Sequence, residues 1–206
     1  MNRHFLILAA TWMTAAAPLI AVAQAAPANA GGDGLSLAAT PEALPHDPEA
    51  TTRAGRYATP RQAYEAKQRL GNEVLLIDVR APDAHRRTLV GAPVDLRAPL
   101  YAADGSDATR AFVATVEQRV AALPRARATP VLLLCDHGRL AAAAAEALAT
   151  AGFANAIVVT GGLLGEVDGG RPGWIAAGLP VVRTDAAADG PPARRGPGEG
   201  PLVRSF

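Results

Sequence analysis

Two uninterrupted aliphatic runs, Val74-Leu75-Leu76-Ile77 and Val131-Leu132-Leu133-Leu134, interrupt a chain that elsewhere mixes small and polar residues. A third run, Ala156-Ile157-Val158-Val159, is closed by Gly161-Gly162. Aliphatic runs without polar alternation predict strands buried on both faces, as in a parallel sheet. The first strand is expected over Glu73 to Asp78 and the second over Val131 to Leu134. Around them the pattern becomes helical. Thr59-Pro60 opens a helix to about Arg69, with Thr as cap, Pro in the first turn and Gly71-Asn72 as its stop. Phe112, Val113, Val116, Val120 and Leu123 share one face of a helix over Asp107 to Leu123, capped by Asp107. Leu140 to Ala151 is an Ala-rich helix ended by Gly152. A short helix is expected around Gly173 to Ala177 and a last extended piece at Leu179 to Val182. Residues 81–106, punctuated by Pro82, Gly91, Pro93, Pro99 and Gly105, are expected as loop. Strands alternating with helices predict an α/β domain with a mainly parallel sheet.

The flanks lose this pattern. Residues 26–56 are Ala, Gly, Pro, Thr and Asp with few large apolar side chains, and are expected as a flexible arm or linker. Residues 184–206, with Gly190-Pro191-Pro192 and Gly196-Pro197-Gly198, are expected as a disordered tail. The domain then spans residues 57–183. Residues 1–25 have the form of a secretory signal: Arg3 and His4 make a basic start, Phe5 to Ala23 is apolar apart from Thr11 and Thr14, and Ala23-Gln24-Ala25 supplies a small-x-small cleavage site. Export to a periplasmic or extracellular space is expected, with a retained membrane anchor as the alternative. About 180 residues remain, enough for one domain with its own core.

Composition excludes more than it assigns. A net charge of +1 with scattered arginines argues against a nucleic-acid surface. His4, His46, His85 and His137 lack metal-ligand spacing, and one cysteine cannot build a thiolate zinc site, so neither metal nor cofactor is expected. The candidate chemistry rests on that cysteine, Cys135. It ends the second aliphatic run and is followed by the turn Asp136-His137-Gly138-Arg139 and then a helix. There, backbone N–H groups and the helix dipole favour negative charge, the setting of a reactive thiolate. The other use of a cysteine after four aliphatics is as a small buried hydrophobe. Its place beyond the run and the polar turn after it favour reactivity. So does export, since cysteines in oxidising compartments normally pair.

In this order, Leu76-Ile77-Asp78-Val79-Arg80, the strand-end cysteine, Gly152-Phe153, Gly161-Gly162 and Ala177-Gly178-Leu179-Pro180-Val181 resemble a rhodanese-type sulfurtransferase domain over roughly residues 57 to 183. The resemblance implies a single α/β domain with helices on both faces of its sheet. It further implies that Cys135 takes a sulfane sulfur from a donor such as thiosulfate, becomes a persulfide, and hands the sulfur to a thiophilic acceptor, a small molecule or a protein thiol. Asp136, His137, Gly138, Arg139 and Leu140 would form the anion-binding loop. Asp78 and Arg80 match common family positions and are expected mainly to organise loop backbone. The family's usual loop is C-x-x-G-x-R-S. Gly138 keeps its place, but Leu140 and Ala141 stand where Arg and Ser are usual, and Arg139 comes one position early, about 100° away on a helix. Leu163 to Gly173 looks like an insertion near the family's cleft wall. The usual Gly-His-Ile-Pro-Gly-Ala after Arg80 is only partly replaced by Val90-Gly91-Ala92-Pro93.

Two other readings stay open. The missing Arg-Ser allows a catalytically silent binding or sensing module of the same fold. A cysteine phosphatase also uses a thiolate in an anion loop, but four residues from Cys135 to Arg139 make a tight frame for phosphate.

Overall fold

The computed structural model describes residues 40–84 and 90–183. The expected signal at 1–25, the first part of the expected arm and the expected tail at 184–206 lie outside these residues. All three aliphatic runs are strands: β2 (Leu75–Asp78), β5 (Val131–Leu134) and β6 (Ala156–Val159). Among the described residues, four further strands span two residues each: β1 (Tyr57–Ala58), β3 (Val90–Gly91), β4 (Leu96–Arg97) and β7 (Val182–Arg183). Five of the seven form a wholly parallel sheet in the order β1-β6-β5-β2-β4, with β5 at its centre. β3 and β7 make a separate antiparallel pair.

The helices follow their sequence signals. Thr59 and Gln62 close a reciprocal capping box at the start of α1 (Pro60–Leu70), and Gly71, at φ 52°, ends it. The helix α2 (Thr109–Ala121) has Ala108 and not the expected Asp107 at its N-cap, and the Asp107 carboxylate accepts the Thr109 amide at 2.7 Å from one residue further out. The helix α3 (Arg139–Thr150) follows the cysteine turn. Two expectations are corrected here. Residues 174–178 form turns, not a helix, because Gly173 and Gly178 bracket a segment too short to propagate one. The last strand starts at Val182, where β3 supplies a partner, and not at Leu179.

Alternate residues of the same strands feed two cores. Leu75, Ile77, Val131, Leu133 and Val158 pack with Phe112, Val116 and Val120 of α2 and with Ala141, Ala144 and Leu148 of α3. Leu76, Leu132, Leu134, Ile157 and Val159 pack on the other face with Ala63 of α1, Leu163 and Trp174. The two-sided burial explains why these strands have no polar alternation. Helix placement follows from chain direction. Right-handed crossovers running one way across the sheet (β1 to β2) and the other way (β4 to β5 to β6) must lie on opposite faces.

The segment that composition marks as a loose arm is instead packed from Thr40 onward. Its three-residue turns Pro41–Ala43 and Pro48–Ala50 bury Ala43 and Ala50 completely or nearly so. Arg53 binds Glu146 of α3 through its amide, at 2.6 Å, and its guanidinium, at 2.7 Å. Small side chains and backbone polar groups do here what a hydrophobic stripe does elsewhere, which is why composition alone misses it.

Leu133 is wholly buried among α2 and α3 residues. Leu133→Ala is therefore expected to lower unfolding free energy by about 3 kcal/mol in a urea titration, with the slope unchanged. A loss under about 1 kcal/mol would show that this face collapses around the gap.

Candidate active site

Strand order locates the site. The chain steps across the sheet from β1 to β2 to β4, then returns through β5 to β6, so its direction reverses between β2 and β5. In open parallel sheets, connections diverge at such a point and leave a crevice at the C-terminal strand ends. Cys135 directly follows β5 and Arg80 follows β2 by two residues.

The Cys135 sulfur faces the start of α3. The Gly138 amide donates to Sγ at 3.1 Å and the Ala141 amide at 3.4 Å, with the His137 amide adding to them. Gly138 makes this possible with φ at 103°, a backbone turn that an L side chain resists. The side chain is nevertheless only 2 % exposed and belongs to the α2–α3 core. Burial pushes the thiol above its ordinary value, outweighing the amides of Ala141, Gly138 and His137. The nearby Asp136 carboxylate pushes in the same direction. The downward shift expected from turn amides alone is thus corrected: the amides are present, but water is not.

Asp78 and Arg80 hold the loop. Arg80 is 2 % exposed and forks onto Asp78, with Nη2 donating to Oδ2 at 2.7 Å, while Nη1 donates to Asp136 Oδ1 at 2.9 Å. Burial alone would discharge the guanidinium, yet the carboxylates of Asp78 and Asp136 keep it above its usual value. Asp136 is therefore occupied as a structural tie. The Leu140 side chain packs partly buried against the core, and Ala141 at the usual serine position still offers its amide to Sγ.

Arg139 turns away to the arm. Its Nε donates to Asp47 Oδ2 and its Nη1 meets Glu49 Oε2, both at 2.5 Å. The Arg139 hydrogen bond in turn holds the Asp47 carboxyl below its ordinary range. His137 donates from Nδ1 to the Gly165 carbonyl at 2.7 Å, which fixes the proton on that nitrogen whenever the ring is neutral.

The segment 161–173, of which Leu163 to Gly173 looks like an insertion in sequence, is the floor beneath this loop. Leu163 and Leu164 amides donate to the carbonyls of Cys135 and Asp136 at 2.8 and 2.9 Å. A Cβ on Gly162 would come within 2.7 Å of the Asp136 carbonyl carbon, so only glycine allows the approach. Glu166, 7 % exposed, accepts the His46 amide at 3.0 Å and the Arg171 amide at 2.8 Å. Arg171 reaches the Leu44 and Pro41 carbonyls of the arm. Sequence reasoning singled out neither Glu166 nor the Asp47–Glu49 pair. The Gly161-Gly162 dipeptide was the one visible signal for this floor.

The Rhodanese-like domain model matches residues 62–165, just over half of the chain. No curated protein matches it. Among solved structures, the chain is similar to Rv0390 from M. tuberculosis, at 29% identity over 61% of this chain and 96% of that one, with a TM-score of 0.45. It is also similar to the Rhodanese-like domain from the Anabaena sp Alr3790 protein, at 14% identity over 72% and 92%, TM-score 0.42. A third is Thiosulfate sulfurtransferase from Pseudomonas aeruginosa, at 18% identity over 61% of this chain and 20% of that one, TM-score 0.38.

Removing the Arg80 guanidinium takes away the cation that Asp78 and Asp136 share. Arg80→Leu is expected to cost roughly 3–5 kcal/mol of stability by denaturant titration. A cost below about 1 kcal/mol would show that the tie contributes little.

Proposed function

The chain belongs to the rhodanese-like domain family, and on that premise we propose that it takes sulfane sulfur onto Cys135 and passes it on, as an exported sulfurtransferase or sulfur carrier. The observation that carries this reading is the convergence of the Gly138, Ala141 and His137 amides on Sγ. A thiol used only as core filling has no need of them.

The chemistry is a pair of displacements. Cys135 gives up its proton and Sγ attacks the outer sulfur of the donor. A sulfur–sulfur bond forms, and the donor's own bond to that sulfur breaks, its electron pair leaving with the donor residue. An acceptor nucleophile then takes the outer sulfur and returns Cys135 as a thiolate. The amides favour the negative sulfur before the first attack and after the second. Between turnovers, burial keeps the thiol protonated, which slows adventitious oxidation. Export is part of the proposal, supported by the basic start, apolar core and cleavage pattern of residues 1–25 and by the solitary cysteine.

A second reading, a silent binding module, draws on the 2 % exposure of Cys135 and the engagement of Arg139 by the arm. Sulfur loading separates the two. Intact protein incubated with thiosulfate or with a low-molecular-weight persulfide is expected to gain the mass of one sulfur, and Cys135→Ala to gain none. No adduct from either donor would leave the binding module as the function.

The thiol's elevation has its own signature. Its thiolate fraction keeps growing past pH ~8.5, the ordinary thiol value. The rate of Cys135 alkylation by iodoacetamide is expected to climb through that pH without levelling. A plateau near neutral pH would contradict the dominance of burial.

A further inference from the structure

We propose that Asp47 and Glu49 of the arm set donor choice at this site, favouring a persulfide of low charge over a dianion such as thiosulfate. The inference rests on the reading of Cys135 as the sulfur-bearing residue. It follows from the charges around the loop. Among the described residues, Arg80 and Arg139 are tied to the loop, and each meets two carboxylates. Arg80 lies between Asp78 and Asp136. Arg139 lies between Asp47 and Glu49, and Asp168 also acts on it. The floor adds one carboxylate and one cation: Glu166 faces the backbone amides of His46 and Arg171, and the Arg171 guanidinium reaches the Leu44 and Pro41 carbonyls.

The arm pair is a placed feature. Ala50, three residues after Asp47, is 1 % exposed and would touch a Cβ on Gly138 at 3.5 Å. The Asp47 side chain is itself only 9% exposed. Arg139 is the loop's own cation, on the first residue of α3, and the arm spends it.

The consequence depends on how much charge a donor brings. Attack of a thiolate on thiosulfate gathers three negative charges at Sγ: the cysteine persulfide forms as the sulfur–sulfur bond of thiosulfate breaks, and sulfite leaves with the electron pair. Attack on a neutral persulfide R–S–SH gathers one. There the outer sulfur moves to Sγ, the R–S bond partner leaves as a thiolate, and the proton released by Cys135 converts it to R–SH. The amides on Sγ suffice for the second case. The first is opposed by Asp47 and Glu49, which hold the loop's Arg139.

The test compares loading rates of Cys135 from thiosulfate and from the persulfide of 2-mercaptoethanol, which carries no carboxylate, in the full chain, by intact mass. Wild type is expected to load faster from the persulfide. The double variant Asp47→Asn/Glu49→Gln is expected to raise the thiosulfate rate about tenfold, with far less change for the persulfide. Adding Arg139→Gln to that variant should abolish the gain. Added salt should speed thiosulfate loading in wild type more than in the double variant, because screening replaces what the substitutions remove. An equal gain for both donors would mean that the arm merely covers the thiol, and would overturn the proposal. So would a wild type that already loads thiosulfate as fast as the persulfide. Loading from neither donor in any variant would instead overturn the sulfur-bearing role of Cys135.

Discussion

One guanidinium fixes the geometry on which this site depends. Arg80, at the end of one central strand, reaches across to Asp136, at the end of the next, while its other edge is clamped by Asp78. Backbone register brings the two strand ends level, with Asp78 opposite Leu134. The ion triad then locks the turn that follows. A buried charge cluster of this kind adds little net stability compared with a hydrophobic replacement, but it penalises every arrangement in which one partner is missing. The sulfur's amide cradle is thus held by electrostatics from one side and by the 161–173 floor from the other.

Burial and hydrogen bonding compete at the sulfur. The same turn that aims three amides at Sγ also withdraws it from water, and withdrawal wins. Alanine at the usual serine position contributes to this outcome: it keeps the amide and offers no hydroxyl. The resting site is therefore a thiol shielded from water.

Much of the architecture was legible because its signals are local. Four-residue aliphatic runs need no tertiary information to be read as strands, and Val131 to Leu134 and Ala156 to Val159 match their predicted bounds. The Thr59-Pro60 start and the Gly71 stop are similarly self-contained. What escaped was settled by partners distant in sequence. β1, β3, β4 and β7 have two residues each, too few for any periodicity, and exist because a neighbouring strand presents hydrogen-bonding groups. The docking of residues 40–56 depends on alanines that fit and carbonyls that accept, neither of which stands out in composition. At the site, position predicted the amide fan correctly, but the depth of the sulfur depends on its packing among α2 and α3 residues and could not be read from its neighbours in sequence.

The brevity of β1 and β4 has a consequence for how this molecule meets others of its kind. Among the described residues they are the two margins of the parallel sheet, and each offers two residues of backbone along its outer side. A foreign strand seeking to extend the sheet needs a longer rail of open amides and carbonyls than that. Strong four-residue strands are kept in the interior, and the rims are clipped short, so the hydrophobic richness that builds the sheet does not become an invitation to stack it into fibres.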